Sequence, residues 1–326
     1  MISLPWKHKN NKLWYYLKGF CREIIPGSMS RSQLNGKLAQ LSRFDFEYIR
    51  HRVNYYNKLT QKQILSDSSN TLAHLTLPPK LKVYYFDNYE YTRYFDPALK
   101  ANFLFGDITY IPEEPSIVKS RPIQGGHANS ILLKLNKVRH FIYTRDKKNF
   151  EDKKNMLIGR AVVKRDHRIR FYEMYFNHPL CNLGQINRWG KNDHWIKDKL
   201  TIEQHLDYKF ILCLEGNDVA SNLKWVMSSN SLAVMPKPKF ETWYMEDTLI
   251  GNYHYVEIKE DYSDLEERMR YYIAHTDEAQ SIIQNANAYV NQFKNKVRED
   301  LISLLVLEKY FYKTGQIPLR NHGLYT

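Results

Sequence analysis

Three stretches of the chain gather residue types able to hold or move charge. The first is Phe210–Trp225, FILCLEGNDVASNLKW. An apolar strand runs into Gly216, and a helix is expected over about Asp218–Met227, with Asn217 or Asp218 as its cap. In a parallel sheet, a strand's carboxyl end followed by glycine and a helix start is an anion cradle, and Lys224 would lie about two turns in. The same pattern also serves as plain scaffold in many α/β domains. The second stretch is Gly159–Arg168, GRAVVKRDHR. It sets Arg160, Lys164, Arg165 and Arg168 between a strand and a helix, where arginine forks can neutralise a departing diphosphate; a solvated basic loop would have the same composition. The third is Phe105–Pro112, FGDITYIP, in which Asp107 follows a glycine at the end of an apolar segment. That placement suits a general base, and equally a turn-former. His127, in GGHAN (residues 125–129), is a second candidate base, although a lone loop histidine is more often inert.

Strand and helix signals alternate after residue 155 and would position the first two stretches. Strands are expected at Met156–Ile158, Phe210–Leu214, Leu232–Met235 and His254–Ile258. Helices are expected from Asp166, from the capping box at Thr201–Gln204, from a second box at Ser263–Glu266, and from Thr276. The alternation implies a parallel, doubly wound α/β domain. The first half reads as similar but more decorated: a helix over 37–59, then short apolar segments at Lys82–Phe86, Asn102–Phe105, Ile117–Val118 and Arg139–Tyr143. The charged run Arg145–Lys154 reads as a linker, giving domains of 1–148 and 149–300 with a C-terminal helix and tail at 301–326.

Composition narrows the class. The 326 residues are 43% hydrophobic, enough for real cores. Cys21, Cys181 and Cys213 are scattered and odd in number, which suits a reducing, cytoplasmic compartment and neither a disulfide framework nor a zinc site. The N-terminus has no apolar stretch of the kind a signal peptide carries, and no apolar run reaches membrane-span length. A formal charge of +13 draws polyanions: nucleic acid, anionic lipid or phosphorylated glycan. Residues 1–35 interleave Trp6, Trp14, Tyr15, Tyr16 and Phe20 with Lys7, Lys9, Lys12, Lys18 and Arg22. That mixture suits an anionic membrane surface, or a helix packed on the body.

Three longer stretches carry a resemblance: KKNMLIGRAVVKRDHRIRFYEMYFNHP, YKFILCLEGNDVASNLKWVMSSNSLAVMP and HYVEIKEDYSDLEER. Together, over roughly Asn102–Lys309, they resemble glycosyltransferase family 90, which includes protein O-glucosyltransferases and bacterial lipopolysaccharide-modifying enzymes. The resemblance implies a GT-B-like α/β fold, two Rossmann-type domains facing a cleft. It implies an inverting displacement that needs neither metal nor cofactor, only a nucleotide-sugar co-substrate, a UDP-hexose. Asp107 matches the family's catalytic aspartate. Arg160 and Arg168 match positions around the donor diphosphate, and Gly216, Asn217, Asp218, Asn222 and Lys224 fall in the donor segment. The family's usual arginine six residues after the glycine is Asn222 in this chain, a departure that bears on donor identity and for which Lys224 could compensate.

The chemistry agrees, since a metal-free transferase must meet the leaving diphosphate with cations and helix N-termini, and no Asp-x-Asp signature is present. The expected partners are a UDP-sugar, a glycan or lipid-linked glycan acceptor and an anionic membrane surface, on the inner face of the cytoplasmic membrane, with no nucleic acid. The competing class is a basic nucleic-acid-binding protein or nuclease, for which Asp247, Glu257 and Lys259 mimic a metal-site trio. A catalytically inactive binding module is a third reading, disfavoured by Asp107 and Arg168.

Overall fold

The computed structural model describes residues 8–189, 192–320 and 323–325; Trp6 and Lys7 of the aromatic–basic segment lie outside them. The strands are β1 (Asn102–Leu104), β2 (Ser116–Val118), β3 (Ser120–Pro122), β4 (Ser130–Leu132), β5 (Lys154–Ala161), β6 (Cys181–Gln185), β7 (Tyr208–Leu212), β8 (Leu232–Met235), β9 (Phe240–Thr242) and β10 (Val256–Glu257). The helices are α1 (Lys12–Ile24), α2 (Gly27–Ser32), α3 (Leu34–Leu38), α4 (Phe46–Tyr56), α5 (Lys82–Thr92), α6 (Lys137–His140), α7 (Asp166–Tyr175), α8 (Ile202–His205), α9 (Leu223–Val226), α10 (Leu265–Ala274), α11 (Thr276–Asn291) and α12 (Lys296–Lys313). Two compact units emerge. A sheet unit draws on residues up to Asn10, Arg139–Pro238 and Asp247–Gln292; a helical unit draws on Asn11–Val138, Lys239–Glu246 and the chain from Phe293.

The sheet unit is built on five parallel strands in the order β10-β8-β7-β5-β6. Counting strands in this unit, the order is 2-1-3-4-5, that of a doubly wound sheet. The central strands β7 and β8 are buried along their whole length, as strands covered on both faces are. One face packs Leu157, Leu183, Phe210, Leu232 and Val234 against Phe171, Tyr172 and Tyr175 of α7 and against Leu265, Met269, Ile282 and Ile283 of α10 and α11. On α7, Phe171 and Tyr172 are at the centre of the packed face, with Ile169 and Phe176 at its margin.

The helical unit centres on α12, whose Leu301–Leu307 run is buried and packs against α3, α4 and α5. Arg52 of α4 meets Glu299 of α12 there at 3.1 Å, with Trp243 donating to the same carboxylate at 2.6 Å. A small parallel sheet, β1-β2-β4, and an antiparallel pair, β3-β9, complete the unit; Arg121 and Glu241, directly opposite in that pair, form a buried ion pair at 2.7 Å.

Several local expectations are corrected. Lys82–Phe86 begins a helix: the buried positions Tyr84, Asp87, Asn88 and Tyr91 keep helical spacing, but two are polar and hide the period. Asp87 accepts from the Tyr15 hydroxyl and the Lys137 amide, and Asn88 Nδ2 donates to the Tyr84 carbonyl. The helix expected over 37–59 breaks at Phe44, where Asp45 caps a new helix by accepting from the Tyr48 amide. Arg139–Tyr143 is no strand, because α6 occupies Lys137–His140. The Arg145–Lys154 run is irregular, yet it is fastened to the sheet unit by Lys153, which pairs with Asp146 and donates to the Leu206 carbonyl. The capping box at Thr201–Gln204 forms. That at Ser263–Glu266 does not, because Ser263 turns back to Asp261 and Asp264 accepts from the Lys259 amide.

Candidate functional site

In the sheet unit the chain winds outward in opposite directions from β5 and β7, so a crevice opens beyond their carboxyl ends, the usual ligand position in such a sheet. Arg168, in the first turn of α7, spans it. Its Nη1 donates to the Val162 carbonyl (2.9 Å) beyond β5, and its Nε and Nη2 donate to Glu215 and Leu214 (2.8 Å each) beyond β7. His167 Nε2 also donates to the Glu215 carbonyl, at 2.9 Å. Arg165 closes the rim, donating to Asn217 Oδ1 from Nε (3.0 Å) and Nη2 (2.5 Å). Gly216 lies against this guanidinium, where a Cβ would sit 3.4 Å from Arg168 Nη2, an ordinary contact distance. Burial presses the Arg168 guanidinium below its ordinary pKa, with nearby Arg139 pushing the same way. No carboxylate forms a salt bridge with it among the described residues, and a half-buried cation so placed invites an anion.

The remaining donor-segment candidates do other work. The segment after Gly216 is not the expected helix: α9 starts only at Leu223 and is four residues long. The Gly216 amide instead closes a turn onto the Asp218 carbonyl at 2.9 Å, so the anion cradle expected from a helix start at 217–218 is absent. Asn222 Nδ2 donates to the Leu212 carbonyl at 2.9 Å and finishes β7. Lys224 is fully buried, 5.8 Å from the Phe141 ring centroid, and does not stand in for the family's arginine at the crevice. Asp218 is buried as well. Arg160 commits four of its N–H groups to Gly159, Asn182 and Asp198 beside β6. Lys164 is exposed. The structure thus brings Arg168, Arg165, His167, Gly216 and Asn217 together and leaves Arg160, Asn222 and Lys224 apart from them.

In the helical unit, Asp107 follows Gly106, whose φ of +111° makes the bend. Its Oδ1 accepts from Lys119 Nζ at 2.5 Å; Lys119 is 2% exposed, and the carboxylate is partly open. The Ser120 hydroxyl fixes the same loop by donating to the Ile108 carbonyl at 3.1 Å. Lys119 escaped the sequence reading, although a lysine directly after the apolar Ile117–Val118 is a signal: a cation buried at the end of a strand needs a carboxylate. His127 is engaged at both nitrogens. Lys58 can only donate, so its 2.6 Å contact makes Nε2 the acceptor, while Nδ1 donates to the Gly125 carbonyl at 2.7 Å.

Of the nuclease trio, Glu257 accepts from the Tyr255 hydroxyl and Lys259 lies beyond the end of β10; no group of three His, Cys, Asp or Glu side chains among the described residues is placed to hold a metal ion. No helix among them is long and apolar enough to cross a membrane.

A parallel sheet of this order, with an arginine-spanned crevice at its switch point, defines a doubly wound α/β protein with a candidate ligand site at its strand ends. Comparison with known proteins gives the class its particular form. The profile of glycosyl transferase family 90 matches residues 133–310, and the chain is 38% identical over 304 residues to the O-glucosyltransferase LpsA of Dichelobacter nodosus, covering 92% of this chain and 95% of the relative. The protein belongs to glycosyl transferase family 90 and is a glycosyltransferase.

Proposed function

We propose that the protein is an inverting, metal-independent hexosyltransferase, moving a glucose-like sugar from a UDP-sugar to lipopolysaccharide or another cell-envelope glycan. The observation that carries this reading is Arg168, half-buried at the switch-point crevice with only neutral carbonyls as partners. Two of its five N–H groups remain for the oxygens of a diphosphate. The glucosyl part is supported by the Dichelobacter relative, an O-glucosyltransferase. In this reading the two units share the labour of a GT-B enzyme. Asp107 takes the proton of an acceptor hydroxyl, the hydroxyl oxygen attacks the anomeric carbon, and the bond to UDP breaks with its electron pair leaving on the diphosphate. Lys119 positions Asp107, while Arg168 and the α7 N-terminus meet the charge that develops on the leaving group. The protein works at the inner face of the cytoplasmic membrane, a reading supported by the exposed apolar side chains of α1 together with Lys18.

The test is turnover of UDP-glucose with and without EDTA, in the wild type and in Asp107→Asn. Chelator should leave the rate unchanged. Asp107→Asn should lower kcat by about 10² or more with UDP affinity retained, the scale of a lost general base. Near-normal turnover in that variant rules out the base assignment, and loss of activity in EDTA restored by manganese rules out the metal-free mechanism.

A further inference from the structure

The helical unit contains a cavity of about 460 Å³, lined by Asn54 of α4, Lys58 and Thr60 just after it, Lys309, Tyr312 and Lys313 of α12, and Leu319, Gly323 and Tyr325. That volume is in the usual range for small-molecule sites, roughly 300–1,000 Å³. Among the described residues, three ammonium groups line it and no carboxylate does. Lys309 is only 3% exposed; its Nζ donates to Asn54 Oδ1 at 2.7 Å and to the Asn57 carbonyl at 2.6 Å. It forms no salt bridge among the described residues, and its neighbour Glu308 is occupied by the Tyr325 hydroxyl.

Part of this has a plain structural explanation. Lys309 meets a carbonyl at the end of α4, and Lys313 lies in the last turn of α12, where helix dipoles favour cations. Neutral acceptors do not cancel the charge, however. Burial and the neighbouring Lys313 still hold the Lys309 ammonium down to a pKa of about 8. A buried charge without a counter-ion is costly, and an anion in the cavity would remove the cost. The walls also suit a ring. Tyr312 carries Lys313 at 5.5 Å and Lys62 at 5.9 Å from its centroid, and it stacks with Tyr325 at 6.2 Å. Beside aromatic faces and the Asn54 amide, the lysines fit a small, polar ligand bearing a phosphate or carboxylate.

We propose that this cavity is a second sugar site, taking the phosphate or carboxylate of an acidic saccharide on Lys309, Lys313 and Lys58 with its ring against Tyr312. This rests on the glycan-acceptor reading above, the acidic saccharide being part of the acceptor. The position agrees. Lys58 bonds His127, and Asn129, two residues on, donates to Pro112 and Glu113 in the loop that follows Asp107.

Calorimetric titration of the full chain tests it, with glucose 6-phosphate, glucuronate, inorganic phosphate, glucose and UDP as separate probes. At least one acidic sugar should bind saturably, and which one identifies the anion. Its affinity should fall about tenfold or more in Lys309→Met, as expected for a lost charge-assisted hydrogen bond, and about threefold in the more exposed Lys313→Ala, with UDP affinity unchanged in both. Lys313→Ala decides the matter if Lys309→Met does not fold. The site is refuted if neither acidic sugar binds, if phosphate alone binds as an adventitious ion, if both variants bind like wild type, or if UDP affinity falls with the acidic sugar's. The titration does not depend on transferase turnover, so an absence of hexosyl transfer would leave its outcome readable.

Discussion

Arg168 places three of its N–H groups on main-chain carbonyls at both sides of the crevice, so it fastens the two loops whatever its part in the proposed donor site. Arg168→Ala should weaken UDP binding by roughly 1.5–3 kcal/mol, the cost of a lost charge-assisted contact, and lower the melting temperature too. Lys164→Ala, on the exposed side of the same loop, should change neither. Calorimetry with UDP and thermal unfolding of both variants check this; equal UDP affinities would remove Arg168 from the donor site. The position of Arg168 was legible, because Asp166 starts a helix where the sequence pattern puts one. The destinations of its neighbours were not. Arg160 and Lys224 read as donor-site cations, and Asn222 as the residue that replaces the family's arginine, yet each meets other groups: Asn182 and Asp198, the Phe141 ring, and the Leu212 carbonyl. Side-chain direction at a strand end depends on such neighbours, which spacing alone does not encode. Asp107 was legible as a turn-placed carboxylate, but its pairing with Lys119 depends on how the 105–112 loop folds back over β2 and β3.

Elements were legible where their burial is one-sided or complete. Strands β5, β7 and β8 read as apolar runs because both faces are covered, and α11 read as a stripe because one face is. Helix α5 failed because polar groups interrupt its buried face, and α9 failed because ten residues of irregular backbone separate it from β7. Helix α1 shows an opposite arrangement. Tyr15 bonds Asp87, Arg22 pairs with Glu90, and Gly19 lets the helix approach Phe86 so closely that a Cβ there would meet the ring at 2.6 Å. That face is fixed on α5, and the other carries Leu13 (80% exposed), Leu17 and Ile24 (81%) along one line, with Trp14 and Lys18 beside it. Apolar side chains at i, i+4 and i+11 facing water fit the headgroup region of a bilayer. Leu17→Asp combined with Ile24→Asp should abolish flotation with phosphatidylglycerol vesicles while leaving stability within about 0.5 kcal/mol, since both side chains are exposed. Unchanged flotation would move any membrane contact elsewhere.

The whole molecule carries a formal charge of +13, and that field acts on any polyanion. A built site and a diffuse field differ in how they respond to salt. Attraction between exposed charges fades as the Debye length shrinks from about 10 Å at 0.1 M to about 3 Å at 1 M, and binding to duplex DNA loses affinity with each counter-ion it had released. A diphosphate on Arg168, in a crevice closed by the loops beyond β5 and β7, has fewer charges and less solvent between them, so its binding should weaken far less. Thermal unfolding across a salt series, with UDP-glucose or duplex DNA as the added ligand, separates the two. Stabilisation by UDP-glucose should persist at about 0.5 M salt, approaching about 2.7 kcal/mol at a hundred times its Kd. Any effect of DNA should be gone by about 0.2 M. DNA binding that survives that salt, together with no response to UDP-glucose, would mean that the positive surface serves a nucleic acid and that the crevice at the switch point is not a donor site.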